Sequence, residues 1–307
     1  MRSACSALLL LCAVACGNLS NEDVAFIEAI PQKDELHVVV PQGDTAQPAC
    51  TIASADIAIG ARTTGNAINS GVDGILGLVD AIRAVPPTRR DTDSRTWGPF
   101  HDDKHPGVDV QVTMMRELDA KLVPWRWIYV IAARRKPADF LPIVEGEFFG
   151  AQARDGSGRV TLHFENSRKL QINQPTDPNF PARIYYDLTG NPRTVSLDLT
   201  SGQGFGLVGF DYGYAGYADG HGRFDYAIPQ SNGCLLEVSA WFTPQGAGKL
   251  TFRALCPLNI VYGDITQCWD VSACITYVSD PFGFTQPLCG SQKPCLLGNP
   301  ASCPALP

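Results

Sequence analysis

From Val108 to Cys256 the chain alternates apolar and polar positions in short runs broken by Gly, Pro, Asn and Asp. The rings of Trp125, Trp127 and Tyr129 fall on one side of a strand, because successive side chains point to opposite faces; Arg126 falls on the other. The same period recurs in Val160–Glu165 and Thr194–Leu199. Such a pattern describes an antiparallel sheet with one face buried and one wet. It predicts strands near 108–116, 122–134, 141–152, 159–165, 183–188, 193–199, 205–217, 223–228, 235–242 and 249–255. Turn residues stand between the runs, as at Asp155-Gly156, Gly190-Asn191 and Asp219-Gly220. Across Thr243–Ala247 the register that keeps apolar opposite apolar pairs Ala240 with Leu250, Val238 with Phe252 and Leu236 with Ala254. Continued, it sets Cys234 opposite Cys256, which makes a disulfide there a natural expectation.

Helical signals are confined to the first third. Ser20 can cap a short helix with Asp23 three residues on, and Leu19 and Val24 can staple its entry. Leu36–Val40 reads as a buried strand. Apolar residues at Ile68, Val72, Ile75, Leu76, Val79 and Ile82 form one helical stripe over 67–84, ended by Pro86 and Pro87. Thr88–Ser94 reads as a charged linker. Together these segments predict an α+β, mainly antiparallel β fold: a large curved sheet or barrel-like meander with one long helix packed on it and a disulfide-rich C-terminal tail. The expected divisions are 1–15, 16–94, 95–256 and 257–307. At 307 residues and 45% hydrophobic content, one main core is the simplest arrangement.

The N-terminus changes the picture from fold to location. Arg2, the apolar run Ala7–Leu11 and small residues up to Cys16 read as an export signal over 1–15, too short to span a bilayer. Ala13-Val14-Ala15-Cys16 resembles the lipobox of bacterial lipoproteins, in which cleavage leaves a cysteine carrying fatty-acyl chains such as palmitate. That resemblance implies a membrane partner through lipid on Cys16. Gly17-Asn18 lack the aspartate of inner-membrane retention, so the outer membrane is the expected address, in the periplasm or facing out. The net charge of -7 argues against nucleic acid. Of eleven cysteines, Cys50, Cys234, Cys256, Cys268, Cys274, Cys289, Cys295 and Cys303 remain after the signal and the lipid site, an even set for disulfides in an exported protein. Their spacing is not that of zinc pairs, and no metal or other cofactor is expected.

Candidate chemistry is sparse. His101-Asp102-Asp103-Lys104-His105 could bind a metal or serve as acid and base, but it lies between Gly-Pro and Pro-Gly, where an exposed polar turn is the simpler reading. Glu145 and Glu147 share a strand face, a pair conceivable for glycoside chemistry. Gly202-x-Gly204-x-Gly206-x-x-Gly209 lacks the following helix that a nucleotide loop needs. His163 belongs to a wet strand face and His221 to a turn. Trp125, Trp127, Tyr129, Phe210, Tyr212 and Tyr214 could line a ligand cavity inside a curled sheet, or fill its core.

Cys16 with Leu19–Asp23, the segments Thr96–Phe100 and His105–Gly107, and Cys268-Trp269-Asp270 together resemble uncharacterised lipoproteins of myxobacterial type. The resemblance implies an envelope protein and carries no catalytic residues with it. The function expected is therefore non-enzymatic: an outer-membrane lipoprotein with a binding or structural role, its candidate partners an apolar small molecule or an envelope protein. The alternative is an envelope hydrolase with a site drawn from Glu145, Glu147 and the His101–His105 loop. A deep apolar cavity, a polar cleft with converging carboxylates or a filled core would distinguish carrier, enzyme and interaction module.

Overall fold

The structure is a computed structural model, and it describes residues 19–29, 37–38, 50–55, 85–150, 156–172, 181–198, 211–229, 234–256, 260–281 and 294–306, with 59, 62–63, 65–66, 69, 73, 82 and 288. The chain forms two compact units, one of Met1–Lys33 with Asp73–Asp177, the other of Asp34–Val72 with Pro178–Pro307. The first unit contains α1 (Asn21–Glu28), β1 (Arg89–Asp91), β2 (Ser94–His101), β3 (Val108–Leu118), β4 (Pro124–Arg135), β5 (Leu141–Phe149), β6 (Ser157–Leu162) and α2 (Phe164–Lys169). The second contains β7 (Ala182–Asp187), β8 (Arg193–Asp198), β9 (Asp211–Gly216), β10 (Gly222–Pro229), β11 (Leu235–Phe242), β12 (Gly248–Cys256), β13 (Ile260–Trp269), β14 (Ile275–Asp280) and β15 (Cys295–Gly298). Within each unit every strand pairs antiparallel with the next along the chain. Among the described residues no pairing joins β1 to β6 or β7 to β15, so both meanders are open rather than barrels.

Alternation accounts for most of these strands and for their register. β11 and β12 pair Leu236 with Ala254, Val238 with Phe252 and Ala240 with Leu250, as the apolar columns require. Four expectations give way. One long helix over 67–84 is not borne out: of that stretch only Asn69, Asp73 and Ile82 are described, each helical, and α1 and α2 are short. In Leu36–Val40 the described His37 and Val38 are not in a strand; the amide of Asn69 instead accepts from Val38 N–H and donates to its carbonyl, supplying the partner a strand would have given. The charged linker contains β1, an exposed edge strand paired to β2 through a hairpin at Thr92-Asp93. Beyond Cys256 the meander continues through β13, β14 and β15, so the tail adds strands to the second unit's sheet. Gly202, Gly204, Gly206 and Gly209 lie outside the described residues.

In the first unit α1 is tied to the sheet by charge. The Ser20 hydroxyl accepts from Asp23 N–H while the Asp23 carboxylate accepts from Ser20 N–H, a complete capping box. The same carboxylate is buried and receives Arg95 Nε at 2.7 Å and Arg90 Nε at 3.1 Å. Arg95, itself buried, also donates to Glu22 at 2.8 Å. The guanidiniums of Arg95 and Arg116 lie over the Phe26 ring at 4.7 and 5.2 Å, and that ring meets Trp127 edge to face at 5.3 Å. Burial works to raise the Asp23 pKa, but the Ser20 amide and the two guanidiniums outweigh it and hold it at about 2.

The second unit buries Tyr212, Tyr214, Phe224, Val238, Phe242, Leu250, Trp269 and Val278 in one cluster, joined by Val38 and Ala55 from the N-terminal segment. That segment is fastened by Cys50–Cys274 and by backbone bonds from Ala55 to Ala273 and from Ile275 to Ala53. Cys268–Cys303 closes the C-terminal end. Cys234 and Cys295 are disulfide-bonded as well. The Cys256 side chain and Cys289 lie outside the described residues, so the expected Cys234–Cys256 pair does too.

Two outcomes follow from the α1 anchor. Asp23→Ala leaves Arg95 buried without its carboxylate and costs about 3 kcal/mol, read as a lower denaturant midpoint. Because the folded pKa lies below the ordinary carboxylate value of 3.8, the carboxylate's contribution is fully present above pH 3.8 and is lost as pH falls through about 2. The gap between wild type and Asp23→Ala should hold constant above pH 4 and close towards pH 2 in acid-unfolding curves.

Candidate functional site

An open groove of about 1030 Å³ lies on the second unit's sheet, lined by residues of β7 to β13. Alternation decides which face it occupies. Leu197, Tyr212, Tyr226, Val238 and Phe252 form one row across β8 to β12, with side chains directed to the core. The interleaved row runs Tyr185, Ser196, Gly213, Asp225, Ser239, Thr251, each opposite the next. This second row faces away from the core, and its members are short except at the rim. The floor of the groove is therefore small side chains and backbone, with Tyr185 standing 40% exposed at one edge.

Charged groups flank the floor in pairs. Asp225 Oδ1 accepts from Arg223 Nε at 2.9 Å and from the Ser239 hydroxyl at 2.8 Å. Arg223 lies over the Trp241 ring at 5.0 Å, and that ring stacks on Tyr217 with centroids 5.8 Å apart. At the far side Arg253 donates to the two Asp264 carboxylate oxygens from Nε and Nη2, at 2.9 and 3.3 Å. The register of β12 and β13 shifts between Phe252 and Ala254, where Gly263-Asp264 adds a residue and turns the Asp264 carboxylate towards Arg253. The Arg253 pKa is held above its usual value by the Asp264 hydrogen bond and charge. Glu237, opposite Arg253 in the register, completes an acid–base–acid ladder.

The residues singled out from sequence are distributed otherwise. Trp127 and Tyr129 fill the first unit's core, Tyr214 and the Tyr212 ring the second's, and Phe210 lies outside the described residues. Trp125 is exposed against Phe149. Of the six residues only Tyr212 is among those lining the groove, with its ring turned to the core, where burial pushes its phenol pKa up. Trp127, Tyr129, Tyr212 and Tyr214 are buried rings of the two cores. Glu145 and Glu147 do share a face, but Glu145 meets His163 at 2.5 Å while Glu147 pairs with Arg126 and Arg159. His163 follows β6 and precedes α2 instead of continuing a strand, and it also holds Glu165 at 2.9 Å. In the 101–107 loop His105 is engaged by Asp102 and His101 by Asp109. No cluster of three His, Cys, Asp or Glu among the described residues is arranged to hold a metal. The polar groove escaped the sequence because its floor is written in Ser, Gly and Thr, the ordinary content of a wet strand face.

Comparison with family models, with curated proteins and with solved structures finds no match.

Ion pairs at half-exposed positions contribute little to stability. Asp264→Ala should therefore shift the folding free energy by less than about 1 kcal/mol in urea denaturation. A larger loss would mark the Arg253–Asp264 pair as a structural clamp rather than groove chemistry.

Proposed function

We propose that this protein is a non-enzymatic lipoprotein of the bacterial outer membrane, tethered through lipid on Cys16, whose second unit binds a polar chain in its groove. One observation carries the binding role: an open groove crosses the sheet, with small residues as its floor, Arg–Asp pairs on its flanks and the exposed Tyr185 ring at its rim. Paired guanidinium and carboxylate groups offer donors and acceptors side by side, the complement of a hydroxyl-bearing chain. The exposed Tyr185 ring gives such a chain's apolar C–H faces somewhere to rest. A glycan strand fits this chemistry better than an apolar small molecule. The carboxylates flanking the groove at Asp225 and Asp264 are each tied to an arginine, which favours holding over proton transfer. Export and lipidation rest on the signal and the lipobox-like Ala13–Cys16, and the disulfides Cys50–Cys274 and Cys268–Cys303 suit an oxidising compartment.

Two measurements test the two halves. Labelled palmitate should enter the wild-type chain in a bacterial host and not Cys16→Ser; incorporation into both removes Cys16 as the lipid site. In gels cast with neutral polysaccharides such as dextran, xylan or glucomannan, at least one should retard the wild type and leave Ser239→Trp, which fills the groove floor, running freely. Retardation equal for both proteins, or absent with all three, sinks the glycan assignment.

A further inference from the structure

The β3–β4 hairpin of the first unit ends in an apolar tip that the fold leaves in water. Leu122 is 75% exposed, Val123 and Trp125 each 46%, and Phe149 joins them from the end of β5. Trp125 and Phe149 lean together with ring centroids 6.1 Å apart, and the Gly150 N–H donates to the Trp125 carbonyl, so the hairpin and the end of β5 form one surface. The tip is held in shape. The Asp119 carboxylate accepts from the N–H groups of Lys121 and Val123, and Asp119 N–H donates to the Val123 carbonyl. Leu122 adopts φ +61°, a left-handed conformation that a branched side chain rarely takes. A turn built only to connect two strands would place Gly or Asn there; this one presents a leucine outward.

The place of the tip relative to the N-terminus says what covers it. Glu22, in the first turn of α1, contacts Arg116 of β3 at 3.4 Å, three residues before Asp119. At about 3.4 Å per strand residue the tip begins roughly 10 Å from that contact. Cys16 lies five residues before Asn21, a reach of at most about 18 Å. Leu19, which leads into α1, is itself exposed. A lipid on Cys16 can therefore enter a bilayer at the level of the tip, with Leu19 alongside.

We infer that the Leu122–Trp125 tip is a membrane-docking element: Leu122, Val123, Trp125 and Phe149 enter the interfacial layer of the bilayer that holds the Cys16 lipid, fixing the first unit's orientation against it. The aromatic ring sits at headgroup depth, where Trp is favoured, and the exposed Lys121 is placed to meet phosphate groups. Arg126, bound by Glu117 and Glu147, lies over the Phe149 ring at 5.8 Å and helps hold it at the tip. This inference rests on the tethering at Cys16 proposed above.

The test uses the full chain, recovered from membranes with its lipid and reconstituted into vesicles of phosphatidylethanolamine and phosphatidylglycerol carrying brominated acyl chains. Bromine should quench part of the tryptophan emission, Trp125→Phe should remove that part with circular dichroism unchanged, and Leu122→Asp should reduce it. In parallel, the unlipidated Cys16→Ser chain should partition weakly onto the same vesicles, at least tenfold less after Leu122→Asp. Quenching that Trp125→Phe does not alter, or a vesicle-bound chain whose Trp125 stays open to aqueous acrylamide, overturns docking and leaves the tether intact. A wild-type chain that carries no lipid overturns the tether, and the Cys16→Ser arm still decides the tip. Cross-linking of the tip to a protein in place of bromine quenching assigns the patch to that partner and overturns the bilayer.

Discussion

A strand whose side chains alternate can slide along its neighbour only in steps of two before its apolar set turns to water. In this chain that constraint is applied at every hairpin in both units, because each strand pairs with the strand before it and the one after. The consequence reaches from core to surface. Once Val238 faces Phe252 and Tyr226 in the core row, Ser239 must face Thr251 and Asp225 on the other side. The groove is the obligatory reverse of the core, and no loop or insertion is needed to build it.

Small residues serve the two faces differently. On the core side they admit rings. Gly146 lies opposite Tyr129 and Gly248 opposite Trp269, and a Cβ at either position would fall 1.9 or 2.3 Å from an atom of the ring laid across it. These rings cover bare backbone that would otherwise pack nothing, which is how an interior strand tolerates glycine. On the wet side Gly213, Ser196 and Ser239 do the reverse, keeping the floor low between charged flanks. Reading both faces explains why glycine is frequent in strands that are nevertheless well paired.

How much of this was legible depends on whether a segment's own residues report its surroundings. The α1 start was, because Ser20 and Asp23 satisfy each other's backbone locally, and so was the β11–β12 register, because three apolar pairs agree on one alignment. β1 was not: Arg89-Arg90-Asp91 is an edge strand whose charges blunt further pairing, and charge is also what a linker looks like. β13 was hidden by the extra residue at Gly263-Asp264, which breaks the period, and by Gln267 standing buried where alternation asks for an apolar side chain. α2 carries Glu165 in its first turn and Arg168 and Lys169 in its last, the order the helix dipole favours, but one turn and a half is too short for a stripe. The aromatic rows were seen and their burial was not, since a ring on a strand face looks the same whether a core or a ligand covers it.

Stability and display are secured by different means in the two units. In the first, α1 is fixed by buried charge. Such a link is costly to assemble, because Asp23 and Arg95 both surrender water, and costly to break, because either one alone would be stranded. It therefore specifies one position for α1 against the sheet. In the second unit the sheet that carries the groove is held by covalent bonds from Cys274 to the N-terminal segment and from Cys268 to the C-terminus. Those bonds cross-link the unfolded chain as well as the folded one and persist wherever thiols are oxidised. A groove floor made of short side chains contributes little burial of its own, so the rigidity that keeps it open has to come from the core beneath and the cystines that fasten the sheet at β13 and β14.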